Sequence, residues 1–331
     1  MKNVIKHIAR ATVMALIVLP VGGIRLQAQD ISGGAGRTED IVGGVSGLVF
    51  RRPDNPTPQR LSVASQKERA LERAGAARDA QSPRYSEAEE QYRLAARLDP
   101  KDPRPRAGLG NVLLDQRRYA EAVEEYNRVI KLEPKYSSAY FPLGYAYIAL
   151  KRFPEAIETY NQLVRLKPEF AEAYNNLGYA YNQSKRYEEA IAACMEVIRL
   201  LPETGQAYMQ GLQMKAEVLS QAYKNLGFAY TQLRQLDKAV ESFKNAIRFD
   251  PKSVPAYFNL GNAYFEGGKY RDAVETYKET IKLRPNLAVA YYNLALAYLG
   301  LRDKPSALEQ YEALKSLNPD MAKELYAAIN K

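Results

Sequence analysis

Pro100, Pro134, Pro168 and Pro202 fall 34 residues apart, and Pro251, Pro285 and Pro319 resume the same step. A fixed period of that size requires stacked copies of one supersecondary unit. Each proline closes a similar phrase: "RLDP", "KLEP", "RLKP", "RLLP", "RFDP", "KLRP" and "SLNP". Proline cannot continue a helix and biases its predecessor away from helical geometry, so each phrase reads as a helix end followed by a turn. The sequence therefore predicts an all-α array.

Aligned on the prolines, the copies share more. Leu-Gly pairs recur at Leu109-Gly110, Leu143-Gly144, Leu177-Gly178, Leu226-Gly227 and Leu260-Gly261, with Leu294-Ala295 as a relaxed copy. Tyrosines flank them, at Tyr140, Tyr174, Tyr223, Tyr257 and Tyr291 before and at Tyr147, Tyr181, Tyr230, Tyr264 and Tyr298 after. A small residue follows (Ala88, Ala122, Ala156, Ala190, Ala239, Ala273, Ala307), then a bulky one four later (Tyr92, Tyr126, Tyr160, Cys194, Phe243, Tyr277, Tyr311). This pattern resembles the tetratricopeptide repeat, a helix-turn-helix unit, over seven copies from about Arg69 to Met321. The first copy lacks the Leu-Gly and tyrosine positions in its first helix, and tyrosine stands where the family has tryptophan. The resemblance implies a right-handed α-solenoid in which helix A of each copy lines a concave groove and helix B faces outward. It implies recognition of a protein or peptide segment, with no cofactor.

Elementary physics agrees. In "EAVEEYNRVIKL", Ala122, Val123, Tyr126, Val129, Ile130 and Leu132 follow the three-and-four spacing of an amphipathic helix. One copy cannot bury that stripe alone, so stability comes from interfaces between neighbouring copies.

The chain opens with "MKNVIKHIAR", then 14 uncharged residues from Ala11 to Ile24. As a helix that run spans about 21 Å, short of a hydrocarbon core of about 30 Å, so a signal-peptide h-region fits better than an uncleaved anchor. Leu26 and Ala28 suit a cleavage site after Ala28, so residues 1–28 are expected to be a signal peptide and the protein periplasmic or secreted. The absence of a cysteine after the h-region argues against a lipoprotein. Residues 29–61 are rich in Gly and Pro and read as a tether, although "DIVGGVSGLVF" would also suit an extended docking peptide.

Cleavage removes Lys2, Lys6, Arg10 and Arg25 and no acid, lowering the net charge from +9 to +5. It also removes His7, the only histidine. A chain with no histidine and one cysteine lacks a His-based general base, a Cys-His dyad and the usual zinc ligands, so no catalytic residue and no metal site is expected. Cys194 occupies a core position and reads as a small buried hydrophobe rather than a reactive thiol. Arg97, Lys131, Arg165, Arg199, Arg248 and Lys282 recur three residues before the closing prolines, where they complement helix C-termini. The same residues would also form a basic stripe suited to anionic envelope polymers or lipid headgroups. Without aromatics clustered beside it, nucleic acid is not an expected partner.

Asparagine immediately precedes Leu in four copies: Asn176, Asn225, Asn259 and Asn293. In the family that position faces the groove, and the row resembles the asparagine ladder of the peptide-binding array in O-linked N-acetylglucosamine transferase. Amides carry donors and acceptors that can pair with the backbone of an extended ligand, or equally with neighbouring helices. Phe141, Tyr145, Tyr179, Phe228, Asn262, Phe265 and Tyr292, with Asn175 and Asn182, are expected on the same face. Lys224 is the one residue close to the family's carboxylate-clamp pattern, which is otherwise not met.

Pro202 and Pro251 are 49 residues apart, an excess of 15 that falls at about 205–219. Tyr208, Leu212, Ala216 and Leu219 form a near-heptad seam running on into Tyr223, Leu226 and Tyr230. One long helix from Gln206 to Leu233 accounts for this most simply, while Gly211 would suit a hinge between two helices. A projecting seam would serve a partner or self-association. Residues 62–321 are thus expected to form the solenoid and 322–331 a capping helix. The composite expectation is an exported scaffold that binds a partner protein. The alternatives are a periplasmic adaptor in exopolysaccharide export or outer-membrane assembly, and an enzyme whose site leaves no sequence mark.

Overall fold

The computed structural model describes residues 62–202 and 209–330. The expected signal peptide and tether, and Tyr208 of the seam, lie outside the described residues. Those described form fifteen α-helices and no strand, grouped into two compact units that divide between Leu150 and Lys151.

The first unit contains α1 (Val63–Arg78), α2 (Tyr85–Leu98), α3 (Pro103–Asp115), α4 (Tyr119–Leu132) and, after a short 3-10 turn at Ser137–Ala139, α5 (Tyr140–Ala149). The second contains α6 (Phe153–Leu166), α7 (Ala171–Gln183), α8 (Tyr187–Leu200), α9 (Met209–Gln232), α10 (Leu236–Phe249), α11 (Val254–Glu266), α12 (Tyr270–Leu283), α13 (Ala288–Gly300), α14 (Lys304–Leu317) and α15 (Pro319–Ile329). Within each unit consecutive helices pack on one another, so each is a stack of helix-turn-helix repeats. No helix is long and apolar enough to cross a membrane among the described residues.

The proline rhythm has the expected local cause. α2, α4, α6, α8, α10, α12 and α14 each end two residues before a closing proline. The last of these, Pro319, is itself the first residue of α15, which Asn318 caps by accepting from the Met321 N–H at 3.1 Å. The terminal helix therefore begins three residues before the segment 322–331 expected to cap the array. It buries Ala322, Leu325 and Ile329.

The turns after α3, α5, α7, α9, α11 and α13 pass through a left-handed residue: Arg117 (φ 60°), Lys151 (58°), Lys185 (60°), Arg234 (62°), Gly268 (73°) and Arg302 (66°). A left-handed L-residue costs about 1–2 kcal/mol. A Schellman closure holds it there, with the next N–H donating five residues back: Gln235 to the Tyr230 carbonyl and Asp303 to that of Tyr298, both at 2.9 Å. The basic side chains stand at helix C-termini, where positive charge is favourable.

Packing explains why Leu-Gly and a bulky residue recur together. A Cβ on Gly261 would lie 2.6 Å from the Tyr277 ring, and one on Gly227 2.7 Å from that of Phe243. Helix A lacks a side chain where helix B of the same repeat inserts its ring, and Tyr277 and Phe243 are each 1% exposed. In the last copy Ala295 fills that space. Tyr311 stays half-buried and packs instead on Tyr326, ring centroids 5.2 Å apart.

α9 is a single helix of 24 residues that runs through Gly211. Leu219, expected on an exposed seam, is 1% exposed and packs with Cys194, Tyr223 and Leu226. The cause is that α9 lies against both α8 and α10, and Ser220 Oγ also donates to the Ala246 carbonyl at 3.0 Å. Ala216 is half-buried and the neighbouring Met214 is exposed. The Leu212 side chain lies outside the described residues.

Candidate functional site

In the second unit, α7, α9, α11 and α13 are the first helices of successive repeats and carry Asn176, Asn225, Asn259 and Asn293 in register. All four are at least nine-tenths buried. Their bonding differs. Asn176 Nδ2 donates to the Tyr160 hydroxyl at 3.0 Å. Asn225 Nδ2 donates to the Asn175 side-chain oxygen at 3.2 Å, and its backbone carbonyl accepts from Asn182 Nδ2 at 2.9 Å. Asn293 Nδ2 donates to Asn262 Oδ1 at 3.0 Å, which also accepts from the Tyr277 hydroxyl at 2.7 Å. The Asn259 amide has no hydrogen-bond partner among the described residues.

Three of the four ladder amides are thus engaged with neighbouring side chains, and Asn259, 9% exposed, is not. Spare hydrogen-bonding capacity remains nearby. Asn182 Oδ1, Asn262 Nδ2, Asn293 Oδ1 and the Tyr292 hydroxyl are buried with no partner among the described residues. A buried polar atom left unpaired costs about 1–3 kcal/mol, so such a concentration on one set of helices stands out.

The aromatic residues divide into two groups. In the second unit, Tyr179 and Phe228 are half-buried and each backs edge-on against the first aromatic of the preceding helix. Tyr179 meets Phe153 at 6.4 Å and Phe228 meets Tyr187 at 6.5 Å. Tyr145 repeats the arrangement in the first unit, 6.3 Å from Tyr119, and Phe141 is likewise half-buried. Phe265 and Tyr292, expected on the same open face, are instead 4% and 1% exposed. Both belong to the core cluster that includes Leu325 and Ile329 of α15; the terminal helix packs on α13, which carries Tyr292, and Tyr270 of α12 meets Phe265 edge-on at 5.4 Å. Burial pushes the Tyr292 hydroxyl up to about 12.

Lys224 and Cys194, both marked in the sequence, are buried. Lys224 is 5% exposed and has no ion pair among the described residues; burial holds its ammonium below the usual lysine range, with Asp250 and Glu217 opposing only from a distance. In register it stands where Asn175 does one copy earlier, which the sequence marked only by spacing. Cys194 is fully buried, its Sγ filling the space beneath Gly178, and burial pushes its thiol up to about 12.

Tetratricopeptide-repeat models match residues 107–169 and 152–203, then 288–321, and a TPR repeat model matches 227–267 and 261–301, together more than half of the chain. No curated protein matches it. Among solved structures, a tetratricopeptide repeat protein from Parabacteroides merdae is similar at TM-score 0.56 and 20% identity, over 80% of this chain and 99% of that one. The pilF protein of Pseudomonas aeruginosa is similar at 0.54 and 18%, over 70% and 98%. MamA from Desulfovibrio magneticus RS-1 is similar at 0.50 and 22%, over 58% and 99%. These likenesses establish the fold. The repeat-model matches over more than half of its length show that the chain belongs to the tetratricopeptide-repeat family.

Proposed function

We propose that this chain is an exported, non-enzymatic scaffold that holds an extended or helical segment of a partner protein on the first helices of its repeats. Proteins of the family mediate protein–protein interaction. The observation that carries the reading is Asn259, an amide free of intramolecular bonds in a row whose other members are engaged, with half-buried aromatic Phe228 one repeat before it. Amides beside aromatics make an amphipathic surface of the kind at which binding energy concentrates. Export rests on the charged start, short apolar run and small residue at position 28.

A photo-crosslinking residue at Phe228 should capture one defined protein in the source cell, whereas the same residue at exposed Glu275 on α12 should not. Capture from Glu275 with none from Phe228 would move the binding surface to the opposite helices and refute the reading.

A further inference from the structure

α1 is a helix of 16 residues whose buried positions are Ala70, Ala74 and Ala77. Alanines remove little apolar surface from water, whereas α4 of the same unit buries Val123, Tyr126 and Val129. Charge at both ends of α1 adds to its packing on α2. Near its start, Lys67 Nζ lies 3.0 Å from Asp99 Oδ2 and 3.0 Å from Asp102 Oδ2. Arg104 on α3 reaches Glu68 at 2.7 Å and holds Asp102 at 2.6 Å. Asp102 is the node: its side chain is 7% exposed, and it also caps α3 by accepting from the Arg104 N–H at 2.9 Å. At the other end, Arg78 Nε donates to Asp115 Oδ2 at 2.7 Å, on the last residue of α3. Hydrogen bonds from Arg104 and Lys67 hold the Asp102 carboxyl below the usual range against the effect of its burial.

From this arrangement we infer that α1 is a strap closed by a two-point ionic latch, able to detach from α3 and α2 while the rest of its unit stays folded. The latch holds Lys67 and Glu68 to Asp99, Asp102 and Arg104 at one end, and Arg78 to Asp115 at the other. The sign of the salt response separates the strap from the core. Raising salt from about 0.1 M to about 1 M shortens the screening length from about 10 Å to about 3 Å, which weakens the latch and leaves apolar packing intact.

Hydrogen exchange of the full chain, followed by mass spectrometry in low and high sodium chloride, tests this directly. Amides of α1 should exchange about tenfold faster in high salt, while those of α4 keep their protection, because salt screens the latch and leaves apolar packing intact. A Lys67→Met, Arg78→Met double variant should show fast α1 exchange already in low salt, with the salt dependence gone. The inference is overturned if α1 protection ignores salt, or if α1 and α4 lose protection together. Should the variant lose its helical content, the salt series on the unmodified chain decides alone.

Discussion

Asn182 Nδ2 donates to the backbone carbonyl of Asn225 at 2.9 Å, and Asn225 in turn sends its own amide to Asn175, so α7 and α9 are cross-tied across the 15-residue excess between their repeats. A buried polar tie of this kind fixes which turn of one helix faces which turn of the other. Asn225→Ala should cost about 1–3 kcal/mol in denaturant unfolding, because Asn175 is left buried without its donor. Paired with Asn175→Ala, it should show strong non-additivity. Additive losses would mean that the two side chains act separately.

Gly178 and Cys194 make a second coupled pair. A Cβ on Gly178 would meet Sγ of Cys194 at 2.7 Å, and Cys194 has no exposed surface through which to yield. Gly178→Ala should destabilise by about 1–3 kcal/mol through overpacking. Adding Cys194→Ala vacates the space and should recover part of that loss, as read from melting curves. A double variant no more stable than Gly178→Ala alone would place the strain elsewhere.

Lys224 carries a buried charge with no ion pair, so Lys224→Met should raise the melting temperature at neutral pH. Its folded pKa lies below the unfolded value. The folded state therefore sheds the proton first, and the penalty is full below the folded pKa and relieved as pH climbs toward the ordinary lysine value near 10.5. The stability gap between Lys224→Met and the native chain should accordingly narrow at alkaline pH. A gap that stays constant would show that the ammonium is not penalised.

Export predicts that protein recovered from the native envelope begins at Gln29. N-terminal sequencing reads this directly, and intact Met1 in that fraction would contradict cleavage after Ala28.

The prolines, the Leu-Gly pairs and the bulky residue 16 positions after each glycine made the helix order legible, because each enforces a local or nearest-neighbour constraint. The A-to-B turns were less so. Left-handed Arg117, Lys185, Arg234 and Arg302 look like ordinary surface cations until Gly268 is seen in the same register. Phe265 and Tyr292 were misplaced for a different reason: periodicity assigns a face to a residue but reveals neither that Tyr270 packs on Phe265 nor that α15 packs on α13. The asparagines show the same limit, since spacing aligned Asn225 and Asn259 as equals while only Asn225 meets Asn175 and Asn182 one repeat before it.

That inequality gives the most direct test of the scaffold reading. With the partner identified by crosslinking from Phe228, its affinity for Asn259→Ala should be measured by titration calorimetry beside the thermal stability of the variant. The account predicts affinity weakened by about 1–3 kcal/mol with melting nearly unchanged, because Asn259 makes no bond within the chain and is free to pair with a ligand. Unchanged affinity, with or without a loss of stability, would contradict the claim that this row of amides binds the partner.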